Sequence, residues 1–251
     1  MKIKIIYEDE QIVVVDKPVG VVSNRAETVK TETVQDWNAN NLKDIDWEKE
    51  PSSDDEKYFL ERNGLVHRLD KATSGVMILA KTVESFVELL RQFKARETKK
   101  EYLALTHGIW EPKSGVIDLP VGRARHNRKM MGVREDGRES RTGYKVEREY
   151  RKWEFPVEMK VKSTGYEGFS LVRFSPQTGR MHQIRVHARH LGHAVVGDTV
   201  YAGRKRSRED LKWVERMMLH AVRLEITHPV SRERVSWESR PEWDVEQYLR
   251  S

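Results

Sequence analysis

The chain has 251 residues, 37% hydrophobic and 34% charged, with a formal net charge of +6 from 46 basic against 40 acidic residues. That is enough apolar material for a buried core, and the basic excess points to an anionic partner, nucleic acid before a membrane surface. The chain has no cysteine, which excludes a disulfide framework and thiolate chemistry and suits a cytoplasmic setting; the first apolar run, Ile12 to Val15, is far too short to span a bilayer or to act as a signal sequence.

In chain order, Ile3 to Tyr7 and Ile12 to Val15 read as two strands of a hairpin turning at Glu8-Asp9-Glu10. Asp16-Lys17-Pro18-Val19-Gly20 then turns the chain, proline fixing one dihedral and glycine freeing another, and presents Lys17. Residues 36–58 carry eight acidic side chains against Lys43, Lys49 and Lys57, and read as a solvated, partly mobile acidic insertion unsuited to phosphate.

His67-Arg68-Leu69-Asp70-Lys71-Ala72-Thr73-Ser74-Gly75 places one carboxylate between two cations, just before the apolar run Val76 to Ala80. A strand after a Thr-Ser-Gly turn would hold Asp70 rigidly at a sheet edge, and nearby cations favour its ionised form, as a nucleophile or general base requires. A structural Arg–Asp pair closing the turn is the plain alternative.

After Lys81, Thr82 is placed as the N-cap of a helix with Phe86, Leu89, Leu90 and Phe93 on its core face and Lys94 and Arg96 at its end. Lys100 to Leu105 alternates like a half-buried strand, and its Tyr102 is either a core aromatic or a ring that stacks on a base. Residues 120–145 form a basic loop around Arg123, Arg125, Arg128, Lys129, Arg134, Arg138, Arg141 and Lys145, broken by Gly122, Gly132 and Gly137, which suits a flexible phosphate clamp. Gly179 to Gly192 reads as a helix: Met181, Ile184, Ala188 and Leu191 share a face, with His182, Arg185 and Arg189 beside it. Its histidines lack the spacing and partners of a helical zinc site, so no metal is expected. Val195 to Gly203 reads as a strand entering a polar turn, Arg204-Lys205-Arg206-Ser207-Arg208 adds a possible phosphate contact, and Met218 to Pro229 as a helix turn or strand leading into a strand. Apart from the acidic insertion no linker or repeat appears, so a single catalytic domain, 1–251, is expected, and as a monomer.

Seven ordered segments carry a resemblance: Asp16 to Gly20, His67 to Gly75, Lys100-Glu101-Tyr102, Asn127-Arg128-Lys129-Met130, Gly179 to His187, Gly197-Asp198 with Tyr201, and Leu219-His220-Ala221. In that order and spacing the chain resembles the RluA-type pseudouridine synthases over nearly its whole length. Ala72 stands where the family often has aspartate, and Met181 where a small hydroxyl residue precedes His182. The small N-terminal S4-type domain of many relatives is not expected.

The resemblance implies an α+β fold: a mixed, largely antiparallel sheet split by a central catalytic cleft and flanked by helices and loops. It implies isomerisation of uridine to pseudouridine in ribosomal or transfer RNA, with the nucleotide flipped out of its stack and no cofactor. Asp70 would be the essential carboxylate, Arg185 its partner, and Tyr102 the ring against the uracil and the candidate base for the C5 proton. Arg68 would fill the gap left by the flipped base, Leu219 would wall the pocket, and His67, Arg123, Arg128 and Lys129 would complete substrate binding. A silent RNA-binding or chaperone protein of the same fold is the alternative, and a metal hydrolase built on the histidines a third.

Overall fold

A computed structural model describes residues 1–43, 45–125, 127, 130–151, 154 and 168–246. Two compact units emerge: Met1–Lys99 with Ala221–Arg240, and Lys100–His220 with the segment from Pro241 onward.

In the first unit, β1 (Lys4–Glu8) and β2 (Ile12–Lys17) form the expected antiparallel hairpin, and Asp9 closes its turn by accepting the backbone N–H groups of Gln11 and Ile12 at 2.7 and 2.8 Å. β2 pairs antiparallel with β3 (Ser74–Ala80), followed in the sheet by β10 (Leu219–Thr227) and then β11 (Arg234–Glu238). Alternate residues Ile12 and Val14, Val76 and Ile78, and Leu224 and Ile226 line one buried face. Against that face pack Phe59 and Leu60 of α2 (Asp54–Arg62), and Phe86 and Leu89 of α3 (Val83–Ala95). Thr82 caps α3 as expected, its side chain accepting from Ser85 N–H. β10 is one continuous strand rather than a helix turn entering a strand.

The acidic insertion is corrected in part: Asp46, Glu48, Glu50, Asp54 and Asp55 are exposed as expected, but the stretch is built into helices. Residues 36–58 contribute most of α1 (Val34–Asn41) and the start of α2, and Trp37, Phe59 and Leu60 in and beside this stretch are buried, with Trp47 packed 5.2 Å from the Phe59 ring. Four of the eight acids serve the starts of these helices. Asp36 completes a capping box with Thr33, while Asp54, Asp55 and Glu56 fill the first turn of α2, where the helix dipole favours negative charge. Lys17 is a second correction: it is fully buried, its ammonium donating to the carbonyls of Pro18 and Val21, both at 2.9 Å.

The second unit is built on the antiparallel order β4 (Lys99–His107), β9 (Gly168–Pro176), β8 (Arg141–Arg151) and β5 (Ser114–Asp118). Leu105, Phe169, Val196, Met218 and Trp243 form one of its cores. A separate hairpin of β6 (Val121–Arg123) and β7 (Met131–Val133) seats on Val186 and Tyr201.

Two expectations change here. The helix expected over Gly179 to Gly192 is shorter, α4 (Gln183–His190): residues before it form a turn ending at His182 (φ 57°), and Leu191 is exposed. Residues 195–203 are not a strand. Only Val195 bridges, to Thr106, and the chain then turns at Gly197 (φ +74°) before α5 (Arg204–Asp210).

Candidate active site

Asp70 lies in the turn that delivers the chain into β3, and is half-buried. Its neighbours on both sides are moored to the segment after β2. The Ser23 hydroxyl donates to Leu69 O at 2.8 Å and accepts Leu69 N–H at 3.0 Å, and Gly20 N–H donates to Lys71 O at 2.8 Å. The turn closes on itself through Thr73 N–H to Asp70 O. Gly75 follows at φ +114°, where a Cβ would stand 2.2 Å from the Ala221 carbonyl oxygen, so only glycine admits this approach of β3 to β10. A carboxylate on so constrained a backbone has few positions available. Arg68 and Lys71 are exposed, and neither takes part in an ion pair among the described residues.

His67 braces the same turn. Its Nε2 accepts Ile78 N–H at 3.0 Å and its ring stacks on Phe93 at 4.7 Å.

In the second unit Arg185 is 5% exposed on α4, and Asp198 grips it with both oxygens: Nε to Oδ2 at 2.7 Å and Nη2 to Oδ1 at 2.9 Å. Such fork-on-fork pairing fixes the guanidinium plane as well as its position. Asp198 is itself set by its own turn, Oδ1 accepting the N–H groups of Val200 and Tyr201 at 2.9 and 3.0 Å. The Tyr201 ring lies under the Arg185 guanidinium, 4.9 Å from centroid to carbon, and its hydroxyl receives Met131 N–H from β7 and meets His182 Nδ1. The basic hairpin is thereby tied to the helix that carries Arg185.

Tyr102 stands on β4, half-buried, in register with Phe174 of β9; beside it Glu101 pairs with Arg173 at 2.8 Å. Leu219 is buried at the start of β10. Along the basic loop, Arg123, Arg125 and Arg138 are exposed, whereas Arg134 is held by Asp136 and by Arg123 O. Arg128 and Lys129 lie outside the described residues. His187 and His193 of the α4 region serve the fold, while His190 is exposed. His187 donates Nε2–H to Leu119 O and faces Thr142 Oγ1 with Nδ1, burial holding its pKa below the usual imidazole value; His193 meets His107 O. Among the described residues no group of three or more His, Cys, Asp or Glu is arranged to hold a metal ion.

Ser23 and the gripping role of Asp198 were missed in the sequence. Ser23 is an isolated hydroxyl in an unremarkable Val-Ser-Asn stretch, with no local signal. The Gly-Asp-Thr-Val-Tyr run did carry one, since glycine followed by aspartate favours a turn over a strand.

Comparison with known proteins matches residues 11–190 to the family described as RNA pseudouridylate synthase. A ribosomal large subunit pseudouridine synthase D of Nitrosomonas europaea is 36% identical over 241 residues, which cover 94% of this chain and 61% of that protein. The like-named protein of Pseudomonas aeruginosa is 34% identical, over 95% of this chain and 68% of its own length. An uncharacterized RNA pseudouridine synthase of Aquifex aeolicus is 38% identical, over 92% and 67%. The chain thus spans under two thirds of the Nitrosomonas relative. Among solved structures, human RNA pseudouridylate synthase domain containing 1 superposes with a TM-score of 0.68 at 27% identity, covering 96% of this chain and 84% of that one. The chain belongs to the RNA pseudouridylate synthase family.

Proposed function

We propose that this protein isomerises uridine to pseudouridine in RNA, with ribosomal RNA the substrate favoured by the names of its relatives. The observation that carries the reading is the family match over residues 11–190, a span that contains Asp70, Tyr102 and Arg185. The reaction breaks the N1–C1′ glycosidic bond, rotates the uracil, forms C5–C1′ and moves a proton from C5, with N1 regaining one, so the atoms balance without an external reactant.

In this reading Asp70 is the essential carboxylate, acting at the ribose either by attack on C1′ or by removing the C2′ proton. A carboxylate in a turn moored on both sides is suited to either step. Tyr102 provides a ring for the flipped uracil, and Arg185, held flat by Asp198, supplies a fixed positive charge. Arg68 fills the stack vacated by the base, Leu219 walls the base pocket, and Arg123 of the basic hairpin contacts phosphate. No metal or other cofactor is needed.

The test incubates purified protein with a large-subunit ribosomal RNA transcript and maps pseudouridine, with and without a chelator. Conversion in the chelator is expected, and Asp70→Asn is expected to bind RNA yet convert none. A fully active Asp70→Ala protein sinks the assignment; chelator-sensitive activity sinks the cofactor-free claim; binding without conversion by the parent protein favours the silent RNA-binding alternative.

A further inference from the structure

The turn that carries Asp198 is held by a second buried carboxylate, which neither the chemistry above nor the family segments involve. Asp210, the last residue of α5, is 2% exposed, and its Oδ2 meets two donors: Gly197 N–H at 2.9 Å and His107 Nε2 at 3.0 Å. An ionised carboxylate only accepts, so His107 donates from Nε2. Burial pushes the pKa of His107 down, against the pull of Asp210, which favours the neutral ring in that tautomer. Arg206, one turn earlier on α5, acts electrostatically on both groups.

Gly197 has little room of its own. At φ +74° a Cβ would stand 2.4 Å from Arg216 O, so the turn is closed against neighbouring backbone while its N–H is tied to Asp210. The next residue is Asp198. Only two soft backbone dihedrals per residue separate the anchored amide from the carboxylate that grips Arg185, so the anchor restricts where that carboxylate can stand. Stability alone is a poor reason for a carboxylate here, because apolar packing of similar volume commonly serves a buried site as well.

We infer that Asp210 is a positioning residue: by holding Gly197 N–H it sets the Asp198 carboxylate and, through it, the plane of the Arg185 guanidinium. His107, fully buried, holds Asp210 in turn. The inference rests on the catalytic role proposed for Arg185.

The test compares Asp210→Ala, Asp210→Asn, Asp198→Asn and the Asp210→Ala/Asp198→Asn double variant with the parent protein. Conversion of the large-subunit ribosomal RNA transcript is measured at multiple turnover, and thermal melting establishes folding. Asp210→Ala is expected to lower kcat about 10- to 100-fold with KM for RNA nearly unchanged. Asp210→Asn, which keeps an amide oxygen in place of Oδ2, is expected to regain most of the rate. In the Asp198→Asn background, where Arg185 has already lost its carboxylate, Asp210→Ala is expected to cost little more. A full multiplicative loss in the double variant, a KM effect alone, or a folded Asp210→Ala protein with the parent kcat overturns the inference. Should Asp210→Ala fail to fold, Asp210→Ser, whose hydroxyl is too short to reach Gly197, replaces it in the same cycle under the same criteria. Arg185→Ala separates the two claims: inactive beside a fully active Asp210→Ala, it removes the positioning role alone, and if it is itself active the catalytic role of Arg185 fails.

Discussion

Ser23→Ala tests whether the backbone beside Asp70 must be held for the chemistry to proceed. Ser23 is 1% exposed, and its hydroxyl makes both bonds of one residue, donating to Leu69 O at 2.8 Å and accepting Leu69 N–H at 3.0 Å. Alanine differs by a single oxygen, so the loss is of hydrogen bonding rather than of packing. One hydrogen bond forgone nets about 1 kcal/mol and a buried amide left bare costs about 1–3 kcal/mol, a total of about 2–4 kcal/mol. A typical domain is stable by about 5–15 kcal/mol, so the variant is expected to fold. Its melting temperature should drop by about 5–15 °C for a chain of this size. The same energy, taken locally, shifts the opening equilibrium of the turn about 30- to 700-fold. A misplacement of Asp70 on the order of 1 Å costs up to about 100-fold in rate. Melting curves and single-turnover conversion of ribosomal RNA read the two effects separately. Ser23→Thr restores the hydroxyl while crowding a methyl into a buried site at about 1–3 kcal/mol, so it should recover rate better than stability. A Ser23→Ala protein with the parent rate, or one whose rate falls only with its unfolded fraction, refutes the mooring argument.

Gly75→Ala combines a left-handed backbone at φ +114° with a Cβ 2.2 Å from Ala221 O, and is expected to destabilise by more than about 3 kcal/mol, as read by urea denaturation; a parent-like midpoint contradicts the close approach of β3 to β10. Glu56 pairs with Lys49 and accepts from the Ser52 hydroxyl and backbone N–H, which together lower its pKa to about 2 from the ordinary value of 4.5. A depressed carboxylate stabilises fully above its unfolded value, and the contribution is lost as the pH falls through the folded one. The melting difference between parent and Glu56→Gln is therefore expected to be largest above pH 4.5 and to close towards pH 2. A gap that stays constant across that range rules out the pairing as its source.

Where the sequence was legible, one local rule dominated. The β1–β2 hairpin and α3 follow from alternation and from the Thr82 cap, because their neighbours in space are their neighbours in sequence. The helices within the acidic insertion were missed because charge was weighed above aromatic content: Trp37 of α1 and Phe59 of α2 are buried, Trp47 between the helices packs on Phe59, and four of the acids sit at the helix starts. Residues 195–203 looked like a strand because valines precede and follow the Gly-Asp pair, yet the tertiary demands of Asp210 on Gly197 and of Arg185 on Asp198 overrode that preference. The candidate catalytic side chains were reachable only through the family resemblance. Of their supports, the Ser23–Leu69 pair across 46 positions leaves no pattern in any local window, and the Asp198–Arg185 pair across 13 leaves only the Gly-Asp turn signal, which does not name its partner.

A common logic joins these supports. The cores rest on apolar side chains whose contacts carry little directional preference, whereas a hydrogen bond weakens steeply once its angle is lost. Ser23 and Asp198 both engage backbone N–H groups, so each ties the placement of a candidate side chain to the main chain itself. The architecture persists at low overall identity, as the superposition at 27% identity illustrates. Substitutions at the polar anchors are by the same reasoning expected to fall on kcat first, and core substitutions of conserved volume on stability first.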